Sequence, residues 1–359
     1  AGRMKIPGTG LHSSIAAMCR AASGWLSARP SPLFQEAGGD DAALAGDAPH
    51  YHLPVLADEV IEWMRPGGDD FIIDGTLGGG GHSELFLKAG ARVLGVDRDP
   101  EALAHAGRRL AGFGSRFESW EGNFAQLVDH PLIRQGIKAD GLLLDLGVSS
   151  RQLDSAERGF SFMREGPLDM RMGPSSPMTA AELVNSWPEE RMARIFFEYG
   201  EEKRSRRIAA AICRERVSRP FRTTLQLATF IESELGRQGR IHPATRIFQA
   251  IRMAVNEELE SLSQTLAAIP ALLKPGGRLL VITFHSLEDR IVKHHLRHHS
   301  MQWIDDPAWP QPKPNPDCRF ELLARKAISA GEAELTANPR ARSAKLRVAR
   351  LLEHPPTES

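Results

Sequence analysis

Apolar positions follow two rhythms along this chain. Short unbroken runs bounded by acids and glycines predict buried strands at Phe71–Asp74, Arg92–Asp97, 141–146 and 278–284, the last after a turn at Lys274-Pro275-Gly276-Gly277. Apolar residues recurring every three to four positions predict helices over 101–110, 180–184, 189–199, 201–216, 224–235 and 244–269. Strand runs that alternate with helices imply a parallel sheet covered on both faces, so the fold class is a doubly wound α/β sheet. More than a hundred residues with no strand pattern separate the third run from the fourth. They predict a helical subdomain inserted at 151–241, after which the 244–269 helix returns the chain to the sheet. The sheet domain is then 50–150 plus 242–355, and the insertion is the candidate for substrate recognition.

The first 49 residues break this pattern. Up to Leu33 there are four basic residues (Arg3, Lys5, Arg20, Arg29) and no acid, followed by an Ala/Gly/Asp-rich stretch over 36–49. Acid-poor, Arg- and Ser-bearing segments resemble transit peptides. The favoured reading is a disordered tail or a start placed upstream of the folded part, so a cytoplasmic location is the default and a mitochondrial or plastid one stays open.

Composition narrows the class. With 359 residues, 42% hydrophobic and 25% charged, the chain is globular in make-up, which excludes a disordered polymer, a collagen or a disulfide miniprotein. Forty-five Lys plus Arg balance forty-five Asp plus Glu, so any surface for a polyanion has to come from local clustering. Cys19, Cys213 and Cys318 lie far apart, which reads as a reduced compartment without a thiolate zinc site. No apolar run approaches the roughly 18 residues of a membrane span, and no membrane partner is expected.

Candidate chemistry begins at Asp74-Gly75-Thr76-Leu77-Gly78-Gly79-Gly80-Gly81-His82, which follows a strand and opens a helix. Glycines there let backbone approach a ligand, and a helix N-terminus presents free N–H groups. Asp97, nineteen residues beyond Gly78, ends the next strand, where a carboxylate accepts from a ribose diol. The spacing is not G-x-G-x-x-G, and Asp74 before the loop would repel a pyrophosphate. Asp145, ending the third strand run, adds a further carboxylate at the same edge. Such an edge suits the ammonium and sulfonium of S-adenosylmethionine better than NAD.

Several blocks then carry a specific resemblance. They are His52-Leu53-Pro54-Val55-Leu56, the glycine loop, Asp97-Arg98-Asp99-Pro100, Asp145-Leu146-Gly147-Val148-Ser149-Ser150 and Gln152-Leu153-Asp154. Glu157-Arg158-Gly159-Phe160-Ser161-Phe162, Tyr199-Gly200-Glu201-Glu202, Phe284-His285-Ser286-Leu287-Glu288-Asp289-Arg290 and Asn338-Pro339-Arg340-Ala341-Arg342-Ser343 follow in order. From about residue 50 to 351 the chain resembles the RsmH (MraW) family of S-adenosylmethionine-dependent methyltransferases. The resemblance implies a class I (Rossmann-like) methyltransferase sheet with an inserted helical domain. It also implies methylation of the exocyclic N4 amine of a cytidine in small-subunit ribosomal RNA, within the assembled or assembling subunit. Cofactor contacts are implied at Gly80, Gly81, His82, Asp97, Phe124, Asp145 and Gln152. A homodimer stays open.

Amino methyltransferases of bases often carry an Asp/Asn-Pro-Pro-aromatic tetrad at this strand end, and Asp145-Leu146-Gly147-Val148 has neither the prolines nor the aromatic. Asp145 is the candidate catalytic group; alternatively it holds only the cofactor while Ser149, Ser150, His285 or Glu288 approaches the base. Phe160 and Phe162 either stack on the base or pack the insertion. Two other functional readings remain: a DNA amino methyltransferase, and a non-catalytic RNA-binding assembly factor.

Residues 191–222 contain ten Lys or Arg against four Glu, an excess of six, and 338–350 adds Arg340, Arg342, Lys345, Arg347 and Arg350 without an acid. Arg204, Arg206, Arg207, Arg340 and Arg342 are therefore expected to meet RNA phosphates. His294, His295, His298 and His299 have helical spacing, but no carboxylate shares their turns and no metal site is expected there.

Overall fold

The computed structural model describes residues 54–237 and 242–353. The 1–49 segment lies outside the described residues. The principal helices in chain order are α1 (Ala57–Met64), α2 (Gly81–Lys88), α3 (Pro100–Leu110), α4 (Ser150–Asp154), α5 (Ala180–Ser186) and α6 (Glu189–Glu198). They continue with α7 (Ser205–Ser218), α8 (Thr224–Leu235), α9 (Ala244–Asn256), α10 (Glu258–Leu272) and α11 (Ser286–His298). The main-sheet strands are β1 (Phe71–Asp74), β2 (Arg92–Asp97), β3 (Phe117–Glu121), β4 (Ala139–Asp145), β5 (Leu273–Thr283), β6 (Phe320–Leu322) and β7 (Lys345–Leu351).

The sheet runs β3-β2-β1-β4-β5-β7-β6. Strands β1 to β5 are parallel, and β7 is antiparallel to both β5 and β6. This is the class I methyltransferase arrangement, with its order reversing between β1 and β4. In an open α/β sheet that reversal leaves a crevice at the carboxyl ends of the strands. Asp74, Asp97 and Asp145 end β1, β2 and β4 and so border one crevice.

Two apolar layers sandwich the sheet. Leu262, Leu266, Ile269 and Val292 pack one face, and Val60, Phe86, Leu87 and Leu110 the other. A third core belongs to the insertion and spans Phe160 to Val255.

The structure corrects several pattern-based expectations. The 244–269 helix is two helices, because Glu257 adopts a left-handed backbone (φ 51°) between α9 and α10. Ile247, Phe248, Ile251 and Val255 of α9 pack in the insertion core, so the helical layer extends past 241. The turn expected at 274–277 lies inside β5 as an irregularity, where pairing jumps from Ala139↔Leu273 to Gly141↔Arg278 and Gly276 takes φ 82°. Strand β3 escapes the pattern because it is an edge strand with little buried surface. Strand β7 escapes it because Lys345, Arg347 and Arg350 break up its apolar positions and resemble a basic tail.

Candidate active site

The glycine loop is built by close approach. The Gly75 N–H donates to the Leu143 carbonyl (2.9 Å), and a Cβ at 75 would strike the Leu144 side chain. Gly80 caps α2 at φ 78°, where a side chain would press on Leu110 and Ala106 of α3. Gly75 is therefore needed for space and Gly80 for its left-handed backbone. Gly81 starts α2, one residue before His82.

Each acid at the crevice has a different set of partners. Asp74 is buried; its Oδ2 accepts from the Ser83 hydroxyl (2.7 Å) and its Oδ1 from the Thr76 N–H (3.3 Å). Asp97 accepts from the Gly78 N–H through Oδ2 (2.8 Å) and from the Asp99 N–H through Oδ1 (2.9 Å). Burial pushes both carboxyls up to about 6 against those hydrogen bonds, and each also feels a neighbouring carboxylate.

Asp145 is the least satisfied of the three. Its N–H donates to Thr76 Oγ1 (2.6 Å), but side-chain Oδ1 is buried with no hydrogen-bond partner among the described residues. Burial, then Asp74 and Glu288, hold the carboxyl well above the usual range.

His82 faces it. Its Nε2 lies 2.9 Å from the Val55 carbonyl, which can only accept, so Nε2 carries the proton. Burial lowers His82 to about 4, so the ring is neutral and Nδ1 turns a lone pair toward Asp145 Oδ2 at 3.7 Å.

Phe124 follows Asn123, whose side chain bonds Ser261 (2.7 Å) and caps the turn, and it stands beside Gly75. Gln152 is buried and its amide is already engaged: Oε1 accepts from the Ser149 N–H (3.0 Å), and Nε2 donates to Asp99 Oδ2 (3.3 Å).

On the other side, Glu288 accepts from the Phe284 N–H (2.9 Å) and lies 2.9 Å from His285 Nε2. Despite burial, the His285 ring, that N–H and Arg252 keep Glu288 below its usual range. Arg252 bonds both oxygens of Glu258 at 2.9 Å. Glu258, His285 and Glu288 bring ligand-type atoms within 4.8 Å of one another. Arg252 already neutralises Glu258, however, and His285 Nδ1 accepts from the Glu288 N–H (3.4 Å) as the α11 cap, so two of the three candidate ligands are already engaged.

The donor set fits S-adenosylmethionine. Three crowded carboxyls favour a cationic ligand, and each Asp97 oxygen keeps a lone pair for a hydroxyl.

The residues expected to meet RNA divide. Arg204 donates to the Leu235 carbonyl and Arg207 to the Glu234 carbonyl, both at 2.6 Å, so these two cap α8. Arg206 and Arg342 are exposed, and Arg340 reaches Asp154 at 4.0 Å. Arg347 and Lys345 pair with Asp289, and Arg350 with Glu321. Phe160 is buried in the insertion core, and Phe162 packs on His242 and Phe248 with ring centroids 4.8 and 4.9 Å away. Both aromatic rings therefore pack the insertion. Of the histidine cluster, His298 meets Asp317 at 3.2 Å, an acid from outside its helix.

Asp99 and Arg158 fall within the family-like motifs, but the motifs assign them no role, and the same holds for Asn256. Asp99 before Pro100 is a helix N-cap signature, and it does cap α3. Its second oxygen receives Arg158 (2.8 Å), a contact across 59 positions that local patterns do not display.

Comparison with known proteins adds independent findings. The model of the MraW methylase family matches residues 49–352. The chain is similar to a ribosomal RNA small subunit methyltransferase H of Syntrophotalea carbinolica, 50% identical over 307 residues, covering 84% of this chain and 98% of that protein. It is also similar to the protein of the same name from Myxococcus xanthus, 51% identical over 301 residues, covering 83% and 96%.

Proposed function

The chain belongs to the MraW methylase family, and from that membership we propose that it methylates the exocyclic N4 amine of a cytidine in small-subunit ribosomal RNA, using S-adenosylmethionine. The observation that carries the chemistry is the unpartnered, buried Asp145 Oδ1 at the strand-order reversal. When bound there, S-adenosylmethionine supplies a methyl group activated on a sulfonium.

The chain's own residues do the rest. Gly80, Gly81 and the start of α2 give backbone access, Asp97 offers its free lone pairs to hydroxyls, and Phe124 borders the loop. A cytosine amine is a weak nucleophile because its lone pair is shared with the ring. Asp145 Oδ1 accepts a hydrogen bond from one amine N–H, which localises that lone pair, and takes the proton as the nitrogen–methyl bond forms. A neighbouring positive charge returns Asp145 to the ionised form this step requires. The neutral His82 faces the other oxygen and leaves Oδ1 as the one turned to substrate. The target base has to leave its stack to reach the crevice.

The test is methyl transfer from labelled S-adenosylmethionine to assembled small subunits, naked ribosomal RNA and DNA, with nucleosides identified by mass spectrometry. N4-methylcytidine from subunit or RNA supports the reading. Label only in DNA, or in none of the three, overturns it.

A further inference from the structure

Hydrogen bonds from the sheet domain and the insertion converge on the short loop between β2 and α3, directly after Asp97. The Asp99 N–H holds Asp97 Oδ1 (2.9 Å), while Asp99 Oδ1 caps α3 through the Glu101 N–H (3.1 Å). Asp99 Oδ2 receives Arg158 Nη1 at 2.8 Å, and Arg158 Nη2 donates to the carbonyls of Arg171 (3.2 Å) and Met172 (3.1 Å) in the insertion. That insertion segment is held in turn by Asn256, which accepts from the Met172 N–H (2.8 Å) and donates to the Met170 carbonyl (2.8 Å). Arg98 Nη1 donates to the Asn256 carbonyl (2.7 Å), and Gly173 lies so close that a Cβ there would overlap the Arg98 carbonyl oxygen.

Arg158 thus has one hand on the loop that presents Asp97 and the other on backbone of the insertion. A guanidinium can do both at once because its donors form a planar fork; a lysine ammonium reaches only one partner set. Asp99 is buried, so its charge needs this partner.

We propose that Arg158 is a positioning residue that fixes the Asp97–Asp99 loop in its cofactor-holding geometry only while the insertion's 170–173 segment is docked on it. Cofactor affinity and the docking of the substrate-recognition domain are then one linked equilibrium, and the linkage is reciprocal. This rests on the methyl-transfer reading above and adds the device that joins its two sites.

The experiment is calorimetric titration of the full chain with S-adenosylhomocysteine, alongside single-turnover methylation of RNA. Arg158→Met is expected to weaken S-adenosylhomocysteine binding at least tenfold and raise the KM for S-adenosylmethionine by a similar factor. The rate at saturating cofactor should stay within about threefold of the parent's, the split expected for ground-state positioning. Arg158→Lys should recover only part of the affinity. Gly173→Ala, whose Cβ would overlap the Arg98 carbonyl oxygen while the Asp99 and Arg158 side chains are left unaltered, should lower affinity comparably by lifting the segment. The double variant should then be no weaker than Arg158→Met alone, since both break the same link.

Unchanged affinity in folded Arg158→Met and Gly173→Ala would overturn the proposal, as would losses that simply add. If the unaltered chain itself fails to bind S-adenosylhomocysteine, the methyl-transfer reading fails first and takes the coupling with it.

Discussion

Asp74 shows at the scale of one residue how binding chemistry opposes stability. Its carboxyl is raised from 3.8 to about 6, chiefly by burial. The folded state therefore holds more protons than the unfolded one between those values, and stability falls as pH rises through the window. Above pH 6 the ionised form costs the fold up to about 3 kcal/mol, at 1.36 kcal/mol per unit. Asp74→Asn should raise the ligand-free Tm by several degrees at pH 7.5 and by little at pH 4.5, while weakening S-adenosylhomocysteine binding. A Tm no higher than the parent's at pH 7.5, read by scanning calorimetry, would refute this. Asp145→Asn tests the chemistry itself. Asn keeps an acceptor oxygen and the size but cannot take the amine proton, so single-turnover methylation at saturating cofactor should fall about 100-fold or more. Full recovery of rate at saturating cofactor would reduce Asp145 to a cofactor ligand. The three acids were legible in the sequence because each ends an apolar strand. The state of Asp145 was not, because it depends on His82 from α2 and Glu288 from α11, both distant along the chain.

At the scale of elements, the basic run of 191–222 divides by what its side chains cap. Arg204 and Arg207 donate to the last carbonyls of α8, and Arg216 donates to the carbonyls of Val184 (2.8 Å) and Trp187 (2.7 Å) at the end of α5. Helix ends leave such carbonyls without intrahelical partners, and a cationic donor there is worth up to about 2 kcal/mol. Arg204→Ala is expected to lower unfolding free energy by about 1–2 kcal/mol in urea melts. Arg206→Ala, on the exposed face of α7, should leave it within about 0.5 kcal/mol. Equal stability losses in the two would contradict the capping assignment. Sequence spacing places all these arginines on helices but does not say which neighbouring helix ends beside them. The same limit explains the helix break at Glu257: its composition suits a helix, and only the change of packing partner, from the insertion core to the sheet, marks the turn.

Across the whole molecule, formal charge sums to zero, so long-range attraction to RNA is weak and affinity has to be set by the cations left unpaired at one face. The structure removes Lys345, Arg347 and Arg350 from that set by pairing them with Asp289 and Glu321, and Arg204 and Arg207 by capping. Arg206 and Arg214 remain exposed on α7 of the insertion. Each phosphate of single-stranded RNA that a protein cation neutralises steepens the fall of log K with log salt by about 0.7. Reversing Arg206 and Arg214 to Glu should therefore flatten that slope by about 1.4 and weaken RNA binding most at low salt. S-adenosylhomocysteine affinity should stay unchanged, because neither side chain touches the crevice acids or the Arg158 link. Filter binding across a potassium chloride series gives the slope. If the slope is unaltered while Arg342→Glu flattens it instead, RNA lies along the 339–343 turn and not along α7.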